Sequence, residues 1–581
     1  MRDHPPPRPH RAARYGRHVA ALGCVLVAAG ATSVRKPEPS PVTRAMKAEL
    51  DRSLRALASQ PVPAYFMSYQ ITEVRVVGVT GSFGTITESG EQRSRFLHVD
   101  LRVGDYAFDN THPARGEYPD FADFEDFDDR LAAVPIEDDS TAIRAVLWRQ
   151  TDRRYKRAVE RLTRVRTNAE VKVEAEDSSG DFSREPPERF SEPLVRLTVD
   201  RRAWEDKIRR YTAPFARYGD IYEATARIEA TVETRWYVDS EGSEIQVSQP
   251  AYRLRLSAFA KADDGMELPR YEMFFALTPD GLPGDRAVLA AVERMIADLH
   301  ALRRAPVVEP FAGPAILSGR ASAVFFHEVF GHRVEGHRQK LEEEGQTFRG
   351  QIDQAILPTA FSVAFDPSLR QLGTTDLAGF YRFDDQGVRA RRVAVVANGV
   401  LKAFLMSRSP IEGFDRSNGH GRAQVGFTPV ARQSNLVVEV AEPRSRAVLK
   451  QMLIDQIKRE NKPFGLFFAD IEGGFTITGR RFPNAFNVLP VMVYRVFPDG
   501  REELVRGVDL IGTPLTTFSR IAAADDRIEV FNGLCGAESG LVPVSAVSPG
   551  VLVSQVEVQK KPKSQERPPL LPPPFPQGTE R

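Results

Sequence analysis

Residues 321–337 read Ala-Ser-Ala-Val-Phe-Phe-His-Glu-Val-Phe-Gly-His-Arg-Val-Glu-Gly-His and hold three of the chain's ten histidines beside two glutamates. His-Glu-x-x-x-His reads as a metal hydrolase site. The shorter His-Glu-x-x-His puts both imidazoles on one helix face at i and i+4. Here the second His comes one residue later, so at ~100° per residue His327 and His332 lie about 140° apart on a regular α-helix. Such a helix cannot aim both at one ion. Either a π-type turn widens it, or it stops near Gly331 and His332 swings back from a loop. Ser318 or Gly319 begins the helix. Phe325, Phe326 and Val329 fall away from His327 and are core candidates. Glu328 then projects beside the metal as general base for a zinc-bound water, since zinc brings the pKa of such water down to about 7. The competing interpretation is a plain core helix with surface histidines.

The chain has 581 residues, room for roughly two to four domains, with 42% hydrophobic and 27% charged residues and a net charge of +1. That composition is globular and offers neither a nucleic-acid surface nor a polybasic membrane patch. The two cysteines are Cys24 and Cys535. Cys24 falls in a segment with the order of a secretory signal, residues 1–31: Arg2, Arg8, Arg11, Arg14 and Arg17, an apolar run 19–29, then Ala29-Gly30-Ala31. The run is too short for a membrane span. The expectation is an exported protein, periplasmic or extracellular. The alternatives are a lipoprotein anchored through Cys24, or a cytoplasmic chain. Cleavage after Ala31 leaves Cys535 as a lone thiol, a hazard outside the cell that a metal ion would remove. From the residues alone, Cys535 and His337 both stay open as third ligand, and a buried inert thiol is a third possibility.

Composition predicts a linker over 32–42, a helix over 43–59 and strands over 63–80 and 92–103. Residues 117–129 interleave acids with aromatics without the spacing of a calcium loop and predict a solvated loop. Helices come next at 139–166, 203–218 and 284–304, with a β-rich stretch at 221–278. Past 351 the pattern is mostly β. Asn398-Gly399 marks a hairpin, Pro498-Asp499-Gly500 a second joining 486–497 to 502–510, and 447–459 is a helix. The Pro-rich end predicts a disordered tail over 559–581. The expected fold class is α+β: an N-terminal mixed α/β domain, 43–305, then a β-rich domain, 306–558, with the motif helix at its start.

Ordered blocks in the C-terminal half carry a resemblance. They are Phe326-His327-Glu328-x-x-Gly331-His332-x-x-Glu335-Gly336, Asp384-Asp385-x-Gly387, Gly419-x-Gly421-Arg422 leading to Pro429-x-x-Arg432-x-x-Asn435, Val505-x-Gly507-x-x-x-Ile511-Gly512, and Cys535-Gly536 before Val542-Pro543-Val544. Together they resemble the TldD/PmbA family of zinc metallopeptidases, once called modulators of DNA gyrase, in its metal-bearing TldD-like type. The resemblance implies a Zn2+ site of His327, His332 and Cys535, the thiolate coming from a remote loop, with Glu328 as general base. Glu335 matches a family position, as a brace for a ligand or for the turn. His337 stands where relatives carry other residues and is the rival third ligand. The family also implies a peptide substrate and a two-subunit particle, here a dimer with itself or with a TldE/PmbA-like subunit. The alternative function is a non-catalytic partner subunit or scaffold whose metal serves folding. It needs four protein ligands, with His337 as the fourth.

Overall fold

The computed structural model describes residues 39–561 except 114–130, 171–176, 342–343, 480–485 and 513, together with 571 and 574. The expected signal segment, the acidic–aromatic stretch 117–129 and nearly all of the tail lie outside the described residues. Helix is a quarter and strand two-fifths of the architecture, an α+β arrangement richest in β toward the C-terminus.

The predicted linker ends earlier than its composition suggests. Helix α1 spans Pro41–Leu57, and Ser40 caps it by accepting from the Thr43 amide at 3.2 Å. Pro41 at the first helical position loses no hydrogen bond there, so a residue expected to break structure starts it. Strands β1 (Ala64–Ser82) and β2 (Thr85–Val103) form a long hairpin through Phe83 and Gly84, both at positive φ. The polar run 85–91 hides the first part of β2. Helix α2 runs Ser140–Glu170. Helix α3 stops at Thr212 (Arg201–Thr212), where Pro214 converts the predicted continuation into a 3-10 turn. Strands β3 (Ile221–Asp239), β4 (Glu244–Lys261) and β5 (Glu267–Ala276) complete an antiparallel sheet in the order β2-β1-β3-β4-β5. Helices α1 and α2 bury Met46, Leu50, Ile143 and Leu147 against Tyr69 and Ile71 of β1 and Leu97 and Leu101 of β2.

Helix α4 (Asp285–Arg304) leads to the second sheet. Its strands are β6 (Phe311–Leu317), β7 (Phe361–Phe365), β8 (Val393–Ala397), β9 (Val400–Leu401), β10 (Asn435–Val440), β11 (Gly465–Thr476), β12 (Phe486–Val496), β13 (Glu502–Val505), β14 (Val508–Gly512), β15 (Ile521–Ala537) and β16 (Gly540–Lys560). The expected single strand 502–510 is thus two, β13 and β14, and β16 carries the sheet two residues into the predicted tail. The pairings close on themselves: β16 bonds to β14, β14 to β12, β12 to β11, β11 to β6, and β6 back to β16. The motif helix α5 (Gly319–Val329) leaves β6 at Ser318 and packs against β16, β11, β15 and β12. Every residue of α5 except Arg320 is buried. Phe325, Phe326 and Val329 belong to the largest apolar cluster, and Phe326 meets Phe518 edge-on.

The two sheets are joined by buried charge. Arg408 donates to the Ser183 carbonyl at 3.0 and 2.6 Å and to Glu241 at 2.8 Å, and lies over the Phe182 ring at 4.0 Å. Arg235 on β3 pairs with Asp385 and reaches the Phe383 carbonyl. No helix among the described residues is long and apolar enough to cross a membrane. Removing one partner of a buried ion pair leaves the other uncompensated, at about 3–5 kcal/mol. Arg408→Ala is therefore expected to lower unfolding stability by that order in urea titrations. A loss under ~1 kcal/mol, the scale of an exposed ion pair, would show that Arg408 does not hold the halves together.

Candidate metal centre

The i, i+5 spacing is resolved by ending the helix. Helix α5 stops at Val329, Phe330 is its C-cap, and Gly331–Val334 form a 3-10 turn that carries His332 back toward His327. The ring centroids stand 5.0 Å apart at 81°. Gly331 is required by close approach: a Cβ there would run into the carboxamide of Gln433, which donates to the His327 carbonyl at 3.3 Å. Both helix ends are pinned. Ser318 caps the first turn, and the Arg320 amide donates to Glu529 at 2.8 Å, an anion at the positive end of the helix dipole. At the other end Arg333 donates to the Glu328 carbonyl at 2.7 Å, satisfying an orphan acceptor of the last turn.

Cys535 arrives from β15, not from a loop as expected. It is antiparallel partner to Val542 two residues before the strand ends, and it forms a small buried cluster with Val542 and Val544. Alternation along the hairpin turns the sulfur inward while Leu534 faces out. Its Sγ lies 3.3 Å from His332 Nε2. One ligand atom each from His327, His332 and Cys535 fall within 4.8 Å of one another, all buried.

Glu335 is completely buried and accepts from His332 Nδ1 at 3.1 Å and from Arg338 Nε at 2.9 Å. Burial opposes its charge, but His332 and Arg338 outweigh that and hold its pKa at about 2. An ionised carboxylate behind Nδ1 fixes the tautomer and leaves the Nε2 lone pair for the shared centre. Burial also opposes the charged forms of His332 and Cys535. The Cys535 and Glu335 charges nevertheless raise the His332 pKa well above its usual value, and the two imidazoles lower the Cys535 thiol well below its own. Glu328 is buried, and desolvation raises its carboxyl pKa despite His327 and His332 nearby. Facing it on β11 is Gly474, where a Cβ would come within 2.7 Å of Glu328 Cγ.

His337 takes no part in the convergence: its Nε2 engages Glu538, which also accepts from Arg338 at 2.7 Å. Glu538, Arg338, Gln433 and Gly474 carry no mark of this place in the sequence. Arg432 stands in one of the family-like blocks without a role, yet donates to Cys535 Sγ at 3.2 Å. A buried Arg cannot be distinguished by sequence from a surface one.

Residues 312–560 match the family model described as the PmbA/TldA metallopeptidase C-terminal domain. A metalloprotease of Archaeoglobus fulgidus is 28% identical over 237 residues, 41% of this chain and 51% of that protein. One from Methanothermobacter thermautotrophicus is 25% identical over 55% of this chain and 66% of its own length. A zinc metalloprotease TldD homolog from Saccharolobus solfataricus is 25% identical over 43% and 52%. The matches span about half to two thirds of these relatives. Among solved structures, a Thermotoga maritima protein described as a modulator of a DNA gyrase aligns with TM-score 0.57 at 16% identity, over 88% of this chain and 99% of its own. TldE from Thermococcus kodakarensis aligns with TM-score 0.57 at 13% identity, over 89% and 100%. Residues 312–560 thus match the C-terminal domain of the PmbA/TldA metallopeptidases, the chain shares the fold of these solved structures, and the buried His-His-Cys centre lies within the matched domain.

Proposed function

We propose that the chain is a zinc-dependent peptidase acting on unfolded peptides or small proteins, with Glu328 as general base. The observation that carries this reading is the convergence of two imidazoles and a thiolate beside a buried carboxylate. Zn–S of ~2.3 Å and Zn–N of ~2.0–2.1 Å in a tetrahedron separate S from N by about 3.5 Å, and Cys535 Sγ lies 3.3 Å from His332 Nε2. Three protein donors leave a fourth position for water or substrate, the pattern of catalytic rather than structural zinc. When bound, zinc supplies a Lewis acid that polarises the scissile carbonyl and makes water more acidic.

The chain's own groups do the rest. Glu328 takes a proton from the attacking water and delivers it to the departing amine. Its raised pKa suits both halves of that transfer. Glu335 keeps the His332 imidazole oriented. The scaffold alternative needs a fourth protein ligand, and the pairing of His337 with Glu538 tells against it. Likeness to the TldE fold supports a two-subunit particle, with itself or with a TldE/PmbA-like chain. The basic and apolar order of residues 1–31 supports export.

Glu328→Gln is expected to keep zinc, measured by metal analysis, while peptide cleavage falls by about 10²–10⁴-fold. His327→Ala and Cys535→Ser lose zinc as well. Loss of zinc in Glu328→Gln to the extent of His327→Ala would make Glu328 a ligand and defeat the mechanism. Gly474→Ala crowds the Glu328 side chain at a stability cost of about 1–3 kcal/mol. It should retain zinc and lose at least about tenfold in kcat, with peptide KM little changed. N-terminal sequencing of mature protein should begin near Thr32, and a mature chain starting at Met1 would rule export through this signal out.

A further inference from the structure

We propose that Arg432 is a positioning residue for the thiolate ligand. Its guanidinium fixes Cys535 against the two imidazoles and weakens the sulfur as a donor to the metal. The inference rests on the peptidase reading above and adds a group to it.

Arg432 is completely buried. It follows β-paired residues Val430 and Ala431, which bond to Gly421 and Arg422. One terminal nitrogen donates to both polar atoms of Cys535, to the carbonyl at 2.8 Å and to Sγ at 3.2 Å. The other donates to Ser539 Oγ at 2.7 Å and to the Gly540 carbonyl at 3.1 Å, across the turn joining β15 to β16. Nε faces Glu335 Oε1 at 3.4 Å. One rigid fork thus touches the thiolate, the turn beyond it and the carboxylate that orients His332. Lys could not do this, since its ammonium is a point donor on a flexible stem.

The arrangement solves a positional problem. Cys535 is 203 residues from His332 and hangs near the turn end of a hairpin. The Cys535 carbonyl is held by the same nitrogen that reaches its sulfur, so the backbone and the side chain cannot shift independently. An N–H aimed at the sulfur also draws electron density from it. The metal then keeps more Lewis acidity than a free thiolate ligand would leave it. The fork holds the sulfur in place before metal arrives, which is preorganisation.

The test compares wild type, Arg432→Gln, Arg432→Lys and Ser539→Ala. Zinc affinity is measured by chelator competition on metal-free protein, and the sulfur-to-cobalt charge-transfer band by absorption of the Co2+-loaded forms. Arg432→Gln should lose about 10- to 100-fold in zinc affinity, the usual scale for groups that orient a ligand. Its cobalt band should move to longer wavelength, because a sulfur relieved of a hydrogen bond is easier to ionise. Arg432→Lys should recover part of both. Ser539→Ala removes only the hydroxyl contact to the turn, leaving that to the Gly540 carbonyl, and should leave affinity within about twofold and the band in place. A folded Arg432→Gln with zinc affinity within about twofold of wild type, or with an unmoved band, overturns the inference. So does a Ser539→Ala that reproduces the full effect, since the turn would then be the cause. Should Arg432→Gln fail to fold, the band position and affinity of Arg432→Lys decide in the same way. Absence of stoichiometric zinc in wild type would instead refute the peptidase reading.

Discussion

A buried line of alternating charge runs from Arg338 through Glu335 and His332 to Cys535 and Arg432. Each member is expensive to remove from water alone, and each is tolerable only because its neighbours carry the opposite sign or complete its hydrogen bonds. The line includes a helix-terminal turn, a β-hairpin and a short strand pair, so it can exist only when all three are docked. The closed circuit of β16, β14, β12, β11 and β6 provides that docking by surrounding α5 with apolar side chains.

That surrounding has a chemical consequence. Desolvation raises the Glu328 carboxyl pKa, and does so on the same helix that supplies His327. Glu328 and His327 therefore share one rigid element. His332 is one turn away, held by a carboxylate. Cys535 comes from a strand, held by a guanidinium. Helix, turn and strand each contribute the part for which their geometry is suited, and sites built on such elements are placed more precisely than sites on loops.

The N-terminal sheet meets the second sheet through Arg235 with Asp385, Tyr237 with the Gln386 carbonyl at 3.1 Å, and Arg408 with Ser183 and Glu241. Segment 383–386, which overlaps one of the blocks behind the family resemblance, is thus the seam between the sheets. Asp384 there accepts three backbone amides, from Gln386, Val388 and Gly421, and burial still pushes its pKa up to about 7. This seam gives a structural role to a sequence block that stands apart in the chain from His327, His332 and Cys535.

Several features were legible from sequence because they depend on local physics. Periodicity located α1, α2 and α4, the Asn398-Gly399 pair located the β8–β9 turn, and spacing alone said that a straight helix could not unite His327 and His332. Boundaries failed where one residue has two local uses. Pro41 starts a helix in place of breaking one, and the polar half of β2 joins the sheet through pairing with β1. What only the tertiary structure decided is the convergence of Cys535, and not His337, on the two imidazoles, the strand rather than loop origin of the thiolate, and the surroundings of Arg432, Gly474 and Glu538. These depend on contacts between residues more than a hundred positions apart. Sequence determines a residue's chemistry and its local angles. Which opposite charge it meets, and whether water is excluded when it does, depends on how separate elements dock.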